Sequence, residues 1–304
     1  MSATSTRYVR VGLVQMECAE DTATNMERAL AGIHEAADDQ ASVVCLPELF
    51  RSRYFCQVES YDHFDLAEKV PGPTTELLEK VARDRDVVII ASLFEERARG
   101  LYHNTTAVID RDKGYVGKYR KMHIPDDPRY YEKFYFTPGD LGFKSFGTSR
   151  GNLGVLICWD QWYPEAARLT AMQGADVLIY PTAIGWHPEE KDVLGDQQLE
   201  AWRIVQRAHA VTNGCFVVAV NRTGFEPTDG EASGFEKGIQ FWGHSFVAGP
   251  DGAILGEIPG DEPGVVVVDL DLENIRIART GWPFLRDRRI EAYADLSRRF
   301  IDAE

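Results

Sequence analysis

The chain has 304 residues, 44% of them hydrophobic, with a formal net charge of −15 and a pI near 5.0. A chain of this length can bury about three quarters of its unfolded surface, which is enough for one large core. The acidic charge argues against nucleic acid or an anionic membrane as a partner, because an acidic surface repels phosphate. It is mildly favourable for a cationic substrate, although such a charge most often serves only solubility.

The sequence contains no pattern typical of export or membrane insertion. Its first ten residues lack an apolar segment, and no run approaches the roughly 18 apolar residues of a membrane span. No linker or low-complexity segment divides the chain, so we expect a single domain over residues 1–304 in the cytoplasm. Five widely spaced cysteines, at positions 18, 45, 56, 158 and 215, are typical of reduced thiols and do not suggest a zinc site.

Apolar runs and helical spacing predict a β-α-β-α opening followed by hairpins. The predicted strands of this half are 9–15, 42–46, 87–93, 105–110 and 115–119, and the predicted helices are 25–37 and 74–85. The run 42–46 is continuously apolar, as expected of a strand covered on both faces.

The second half of the chain repeats this alternation. Its predicted strands are 153–158, 177–180, 215–221, 240–248, 253–258 and 264–270, and its predicted helices are 164–173 and 197–212. Asp251-Gly252 favours a tight hairpin, and residues 225–238 are predicted to form a mobile loop. The pattern favours an α/β fold with two mixed sheets face to face and helices outside, a four-layer α-β-β-α sandwich.

Cys158 ends an apolar strand and is followed by a helix that begins at Pro164. This position places a thiol near backbone amides and a positive helix end, which favours thiolate. A cysteine at the end of an apolar run is more often a small buried hydrophobe, and Cys45 and Cys215 fit that interpretation.

Two charged residues also follow predicted strands. Glu48 comes directly after the strand 42–46 and has apolar neighbours, so its carboxylate could act as a base. Lys121 lies in a basic run after the strand 115–119, where an ammonium could stabilise a tetrahedral intermediate. Alternatively, the glutamate belongs to a solvent-facing turn and the lysine to a solvated charge cluster.

Three motifs carry a family resemblance, and they occur in the family's order. Leu46-Pro47-Glu48-Leu49, Tyr119-Arg120-Lys121-Met122-His123 and Ile157-Cys158-Trp159-Asp160 resemble those of the nitrilase superfamily, over about residues 8–290. The resemblance implies an α-β-β-α sandwich, no metal, no organic cofactor, and a homo-oligomer of two or more subunits. It also implies that Glu48, Lys121 and Cys158 form a catalytic triad, supported by a second glutamate at Glu132.

The residue types imply a mechanism. With Glu48 as base, Cys158 attacks an amide or carbamoyl carbon, while Lys121 and a backbone amide near Trp159 hold the oxyanion. Glu48 then protonates the departing nitrogen, and water activated by the same carboxylate hydrolyses the thioester.

Longer stretches resemble one branch, the N-carbamoylputrescine amidases. These stretches are Phe50 with 54–57, then 123–128, 130–136, 158–162, 180–185 and 287–289. The branch implies cleavage of N-carbamoylputrescine, a small ureido compound with a terminal ammonium, which suits aromatic faces and carboxylates. The expected substrate-binding residues are Tyr54, Tyr130, Trp159, Ala183 and Trp186, although each aromatic could equally belong to the core or to a subunit interface.

The chain departs from that branch after Gly185, where the branch has Ser-Glu-Pro and this sequence has Trp186-His187-Pro188. Either Glu189, Glu190 or Asp192 takes over recognition of the amine, or the substrate is another N-carbamoyl compound or ω-amide. An acidic substrate would need a basic pocket, for which the only candidates are Arg129 and Arg203.

A catalytically silent binding subunit is disfavoured, because all three triad residues are present. Residues 281–289 mix large apolar groups with charges, a composition suited to a subunit interface, and we expect the tail 281–304 to lie there.

Overall fold

The computed structural model describes residues 8–228 and 238–302. The strands of this part are β1 Tyr8–Gln15, β2 Val43–Cys45, β3 Val88–Ala98, β4 Leu101–Asp110, β5 Gly114–Arg120, β6 Ser145–Thr148, β7 Gly151–Val155, β8 Val177–Thr182, β9 Gly185–Trp186, β10 Phe216–Asn221, β11 Thr223–Glu226, β12 Ile239–Trp242, β13 Phe246–Ala248, β14 Ile254–Glu257 and β15 Gly264–Asp271. The helices are α1 Thr22–Asp38, α2 Pro73–Arg85, α3 Glu132–Tyr135, α4 Pro164–Met172, α5 Lys191–Asn213 and α6 Glu273–Gly281.

The strands of these residues form two six-stranded mixed sheets and one small sheet. The first sheet has the order β15-β1-β2-β3-β4-β5, the second the order β14-β13-β10-β8-β7-β6, and the small sheet the order β11-β12-β9. In each large sheet three consecutive strands run parallel, β1-β2-β3 in the first and β7-β8-β10 in the second, and the remaining neighbours are antiparallel. The predicted sandwich with helices outside is confirmed.

The short strand β2 shows why its sequence is continuously apolar. Val43 and Cys45 belong to the core between the two large sheets, whereas Val44 packs in the core beneath α1 and α2. Successive side chains of a strand point to opposite faces, so a strand covered on both sides needs apolar residues at every position.

Two predicted strands differ from the structure in a way that matters for the site. The run 240–248 is two strands, β12 and β13, which belong to different sheets. Gly243 and His244 lie between them with φ of 60° and 54°, a left-handed corner that turns the chain from one sheet to the other. The run 153–158 stops being a strand at Val155, and a 3-10 helix begins at Cys158.

Five elements were not predicted: the strands β6, β9 and β11, and the helices α3 and α6. Of the predicted mobile loop, Phe225 and Glu226 belong to β11, whereas residues 229–237 lie outside the described residues. The predicted hairpin at Asp251-Gly252 is confirmed, since it joins the antiparallel strands β13 and β14. None of the helices within 8–228 and 238–302 combines the length and apolar character that a membrane crossing requires.

Candidate active site

The ends of strands from both large sheets bring the predicted catalytic residues together. Glu48 follows β2 and Lys121 follows β5 in the first sheet, whereas Cys158 follows β7 in the second. Glu48 and Lys121 are fully buried, and Glu132 and Cys158 are 1% and 5% exposed. Glu48, Lys121 and Cys158, which by pattern alone could have been surface or core residues, therefore lie with Glu132 in one buried cluster.

Lys121 is the centre of this cluster. Its Nζ lies 2.8 Å from Oε1 of Glu48 and 2.8 and 2.7 Å from Oε1 and Oε2 of Glu132. Burial would lower the pKa of Lys121, but the charges of Glu132 and Glu48 outweigh it and raise that pKa well above its usual value. The amine is therefore an ammonium, available to stabilise negative charge beside the two carboxylates.

The two oxygens of Glu48 have different surroundings. Oε1 accepts hydrogen bonds from Lys121 and, at 2.6 Å, from Nδ2 of Asn104. Oε2 is buried and has no hydrogen-bond partner among the described residues. An unpaired buried acceptor is costly to keep, so this oxygen is suited to receive a proton from a reacting group.

Cys158 is held in an uncommon backbone conformation. Its φ is 40°, in the left-handed region, and its Sγ lies 3.8 Å from the carbonyl oxygen of Ala183. Asp160 ties the turn down: its Oδ2 accepts from the Ile157 backbone N–H at 3.0 Å and from the Tyr119 hydroxyl at 2.8 Å.

The expectation that this position favours thiolate is wrong for the resting protein. Burial and the charge of Glu48 raise the pKa of the Cys158 thiol well above its usual value, and Lys121 only partly opposes them. The thiol is therefore protonated at rest, and a base is needed to take its proton.

Glu132 is the first residue of α3. The hydroxyl of Tyr54 donates a hydrogen bond to its Oε1 at 2.6 Å. Burial raises the pKa of Glu132 to about 7, and Glu48 adds to this effect, while Lys121 and the hydrogen bond from Tyr54 oppose it. Glu132 is therefore expected to change its protonation state near neutral pH, and the charged groups around it influence that change.

A cavity of about 380 Å³ opens onto Cys158 and Glu132. This volume lies in the range of small-molecule sites. Its wall is formed by Pro125, Asp127, Pro128, Tyr130, Glu132, Cys158, Trp159, Trp162, Ala183, Ile184, Gly185, His187, Glu190, Gln198, Ala201 and Trp242. The wall is mostly apolar and aromatic, and no lysine or arginine belongs to it in the part of the chain that the structure describes. Burial lowers the pKa of His187, so its ring is neutral near pH 7.

The predicted substrate-binding residues divide into two groups. Tyr130, Trp159 and Ala183 lie on the cavity wall. Tyr54 is not on the wall; its hydroxyl instead contacts the side chain of Glu132. Trp186 is also absent from the wall, because its indole packs against Trp242 and donates to the carbonyl oxygen of Gly195.

Of the three acidic residues considered after Gly185, Glu190 lies on the wall. Glu189 is 3.9 Å from Arg129, and Asp192 lies in the exposed first turn of α5. The two arginines considered for an acidic substrate are engaged elsewhere, Arg129 with the carbonyl of Gly238 and Arg203 with Glu257.

Sequence reasoning missed several residues of the site, chiefly Asn104, Asp127, Trp162, Gln198 and Trp242. Asn104 gave no distinct signal, because it precedes the predicted strand 105–110 and is one of several polar residues in β4. Trp242 was missed because the sequence predicted one strand over 240–248, whereas β12 ends at Trp242 and the chain turns at Gly243. Within the described residues, no group of three or more His, Cys, Asp or Glu side chains is arranged to hold a metal ion.

The chain is similar to known proteins over nearly its whole length. The family model described as carbon-nitrogen hydrolase matches residues 10–280. An N-carbamoylputrescine amidase of Solanum lycopersicum is 43% identical over 96% of this chain and 95% of its own length. A citrullinase of Francisella tularensis is 35% identical over 96% of this chain and 99% of its own length. The crystal structure of a carbon-nitrogen hydrolase from Helicobacter pylori G27 superposes with a TM-score of 0.92 at 44% identity, covering 97% of this chain and 100% of that one.

Proposed function

The chain belongs to the carbon-nitrogen hydrolase family and is an amidohydrolase of the nitrilase superfamily, and from this premise we propose that it cleaves N-carbamoylputrescine to putrescine, carbon dioxide and ammonia. The observation that carries the proposal is the charge of the cavity. Cys158 and Glu132 lie on its wall together with Asp127 and Glu190, without a lysine or arginine among the described wall residues. Such a wall suits a ureido chain with an ammonium at its far end and disfavours a carboxylate.

The geometry supports a mechanism through a thioester. The thiol proton of Cys158 passes to Oε2 of Glu48 as sulfur attacks the carbamoyl carbon, and Lys121 stabilises the oxyanion together with a backbone amide near Trp159. Glu48 gives the proton to the departing nitrogen as the carbon–nitrogen bond breaks. Glu48 then takes a proton from water as the water oxygen attacks the thioester carbon, and it returns this proton to sulfur as the carbon–sulfur bond breaks. The carbamate that is released breaks down to carbon dioxide and to whichever of the two amines, ammonia or putrescine, did not leave in the first step.

Recognition of the substrate ammonium is assigned to Glu190, and Asp127 is a second carboxylate on the cavity wall. Nε2 of Gln198 donates to Oε2 of Glu190 at 3.3 Å, which orients the carboxylate. Glu190 would thus replace the glutamate that the branch carries two residues after Gly185. A charge-assisted pair of this kind contributes about 1.5–3 kcal/mol.

Ammonia release from N-carbamoylputrescine, citrulline and an ω-amide, measured in parallel, tests the substrate. We expect wild type to hydrolyse the putrescine compound and Cys158→Ala to hydrolyse none. Glu190→Gln is expected to raise KM for N-carbamoylputrescine by about tenfold to a hundredfold, whereas the neighbouring Glu189→Gln leaves it unchanged. If wild type cleaves only citrulline or the ω-amide, the putrescine assignment is wrong, although a Cys158 mechanism would survive.

We further propose that residues 1–304 form one domain that assembles as a homo-oligomer through its C-terminal tail. Large apolar side chains of the tail are exposed, among them Trp282 at 66%, Ile290 at 71% and Phe300 at 75%. Several large apolar side chains exposed on one segment favour a surface that a partner subunit covers. Light scattering after size-exclusion chromatography tests this, and a monomeric mass would contradict it. The cytoplasmic location stays a prediction.

A further inference from the structure

A buried ion pair lies beneath the loop that carries Glu48. Arg222, between β10 and β11, is fully buried, and Glu226, the last residue of β11, is 2% exposed. Nη2 of Arg222 donates to the carbonyl oxygens of Glu48 at 2.6 Å and Leu49 at 3.0 Å, and Nη1 donates to that of Ser52 at 3.2 Å. One guanidinium therefore holds three carbonyls of the segment that follows β2.

That segment needs to be held, because its backbone is strained. Leu49 has a φ of 50°, which costs a residue with a side chain on the order of 1–2 kcal/mol. Such a conformation persists only where surrounding contacts impose it. The Arg222 bonds to the carbonyls of Glu48 and Leu49, and the bond from the Leu49 N–H to Oγ of Ser92 at 3.2 Å, are contacts of this kind.

The same ion pair also reaches the second carboxylate of the site. Nη1 of Arg222 donates to Oε1 of Glu226 at 2.7 Å, and Oε2 of Glu226 accepts from the backbone N–H of Tyr54 at 2.5 Å. Tyr54 in turn donates its hydroxyl to Glu132. Arg222 and Glu226 thus connect through the loop to both glutamates that flank Lys121.

We propose that Arg222, together with Glu226, is a positioning residue that fixes the base Glu48 and supports Glu132 through Tyr54. A buried ion pair is weak evidence for stability by itself, since apolar residues of similar volume often serve as well. We assign this pair a positioning function because the guanidinium of Arg222 donates to three backbone carbonyls of the loop that carries Glu48. The proposal rests on Glu48 acting as the base, but it does not depend on the identity of the substrate.

The test compares Arg222→Lys with Arg279→Lys. Arg279 is a matched control because its guanidinium also donates to backbone carbonyls, those of Asn213 at 3.1 Å and Ala175 at 3.4 Å, outside the site. A lysine keeps the charge but cannot supply the fork of donors that holds several carbonyls at once.

The first readout is the rate at which methyl methanethiosulfonate modifies Cys158, followed by intact mass. The sulfur of Cys158 attacks the reagent to form a disulfide, methanesulfinate leaves, and the thiol proton passes to Glu48. Cys158→Ser gives the background from the other four cysteines, and Glu48→Gln gives the rate without the base. Urea unfolding of each variant separates loss of fold from loss of positioning.

We expect Glu48→Gln and Arg222→Lys each to slow the modification by about tenfold or more, since displacement of a catalytic group by about 1 Å can cost a hundredfold in rate. Arg279→Lys should react as wild type does. In turnover of any accepted amide, Arg222→Lys should lower kcat and leave KM nearly unchanged, because the cavity wall is intact.

If Glu48→Gln is slow and Arg222→Lys is not, the positioning proposal is overturned while the base survives. If Glu48→Gln reacts at the wild-type rate, the base itself is wrong and the proposal falls with it. Should Arg222→Lys fail to fold, Glu226→Gln takes its place with the same expected slowing, and a wild-type rate there refutes the proposal.

Discussion

Replacing Tyr54 by phenylalanine should move the acid limb of the pH–rate profile upwards. Tyr54 donates a 2.6 Å hydrogen bond to Glu132, and this bond lowers the pKa of a carboxyl that burial has raised to about 7. A hydrogen bond to a charged group contributes about 1.5–3 kcal/mol. At 1.36 kcal/mol per pKa unit, its loss moves the midpoint upwards by about one to two pH units.

The direction of the effect follows from which form of Glu132 is active. We infer that the ionised carboxylate is needed, because only that form holds the Lys121 ammonium through both oxygens. At pH 7 the ionised fraction would fall from about one half to between about one tenth and one hundredth, so kcat/KM should drop by about five- to fiftyfold. Most of this loss should be recovered near pH 9.

The assay is the pH dependence of kcat/KM for ammonia release, with Tyr135→Phe as the control. Tyr135 is another buried tyrosine, and its hydroxyl donates to the carbonyl of Val58 and accepts from the N–H of Ser60, away from the cavity. The limb belongs to the coupled cluster rather than to Glu132 alone, but its displacement is still expected. An unmoved limb, or an equal loss of activity at every pH, would refute the reasoning.

Two further changes test other parts of the structure. A Cβ at Gly139 would lie 2.0 Å from the carbonyl oxygen of Arg120, so Gly139→Ala must displace the end of β5, next to Lys121. We expect kcat of this variant to fall at least about tenfold. Gly147→Ala is the control, because a Cβ there has its nearest contact at 3.5 Å, and it should retain the wild-type kcat. Burial would raise the pKa of Glu95, but hydrogen bonds from Arg120, Lys118 and Thr105 outweigh it and lower that pKa to about 2. The unfolded chain takes up this proton near pH 4.5 and the folded chain only near pH 2, so the stabilisation is complete above pH 4.5 and is lost as the pH falls towards 2. Glu95→Gln should therefore be less stable than wild type to urea at pH 7, and the gap should narrow by pH 3; a constant gap would contradict this assignment.

Much of the fold could be predicted because its inner strands are continuous apolar runs and its long helices have regular spacing. The same signal failed at Gly243 and His244, where apolar residues continue on both sides of a corner that only the backbone angles reveal. The helix α6 was missed because it is nine residues long, shorter than the window over which helical spacing becomes clear. The strands β9 and β11 are two and four residues long, and they depend on pairing with β12 that local sequence does not show.

At the site, the motifs led to Glu48, Lys121, Glu132 and Cys158, and the structure brings these four together. Their roles stay predictions until variants are measured. The pattern gave the wrong protonation state for Cys158, because depth of burial is a property of the assembled sandwich and not of a strand end. It also misplaced Trp186: neighbouring residues of a strand face opposite sides, so Gly185 lies on the cavity wall and Trp186 packs behind it.

The division of the candidate catalytic groups between the two large sheets has a consequence for folding. Glu48, Asn104 and Lys121 come from the first sheet or its strand ends, and Cys158 and Ala183 from the second. Neither half of the chain contains a reactive centre on its own, and a collapsed state with native strands but loosely docked sheets would be inert. Enzymatic activity therefore reports whether the two sheets have docked correctly in the last step of folding. During gradual denaturation we expect activity to be lost before the backbone loses its secondary structure.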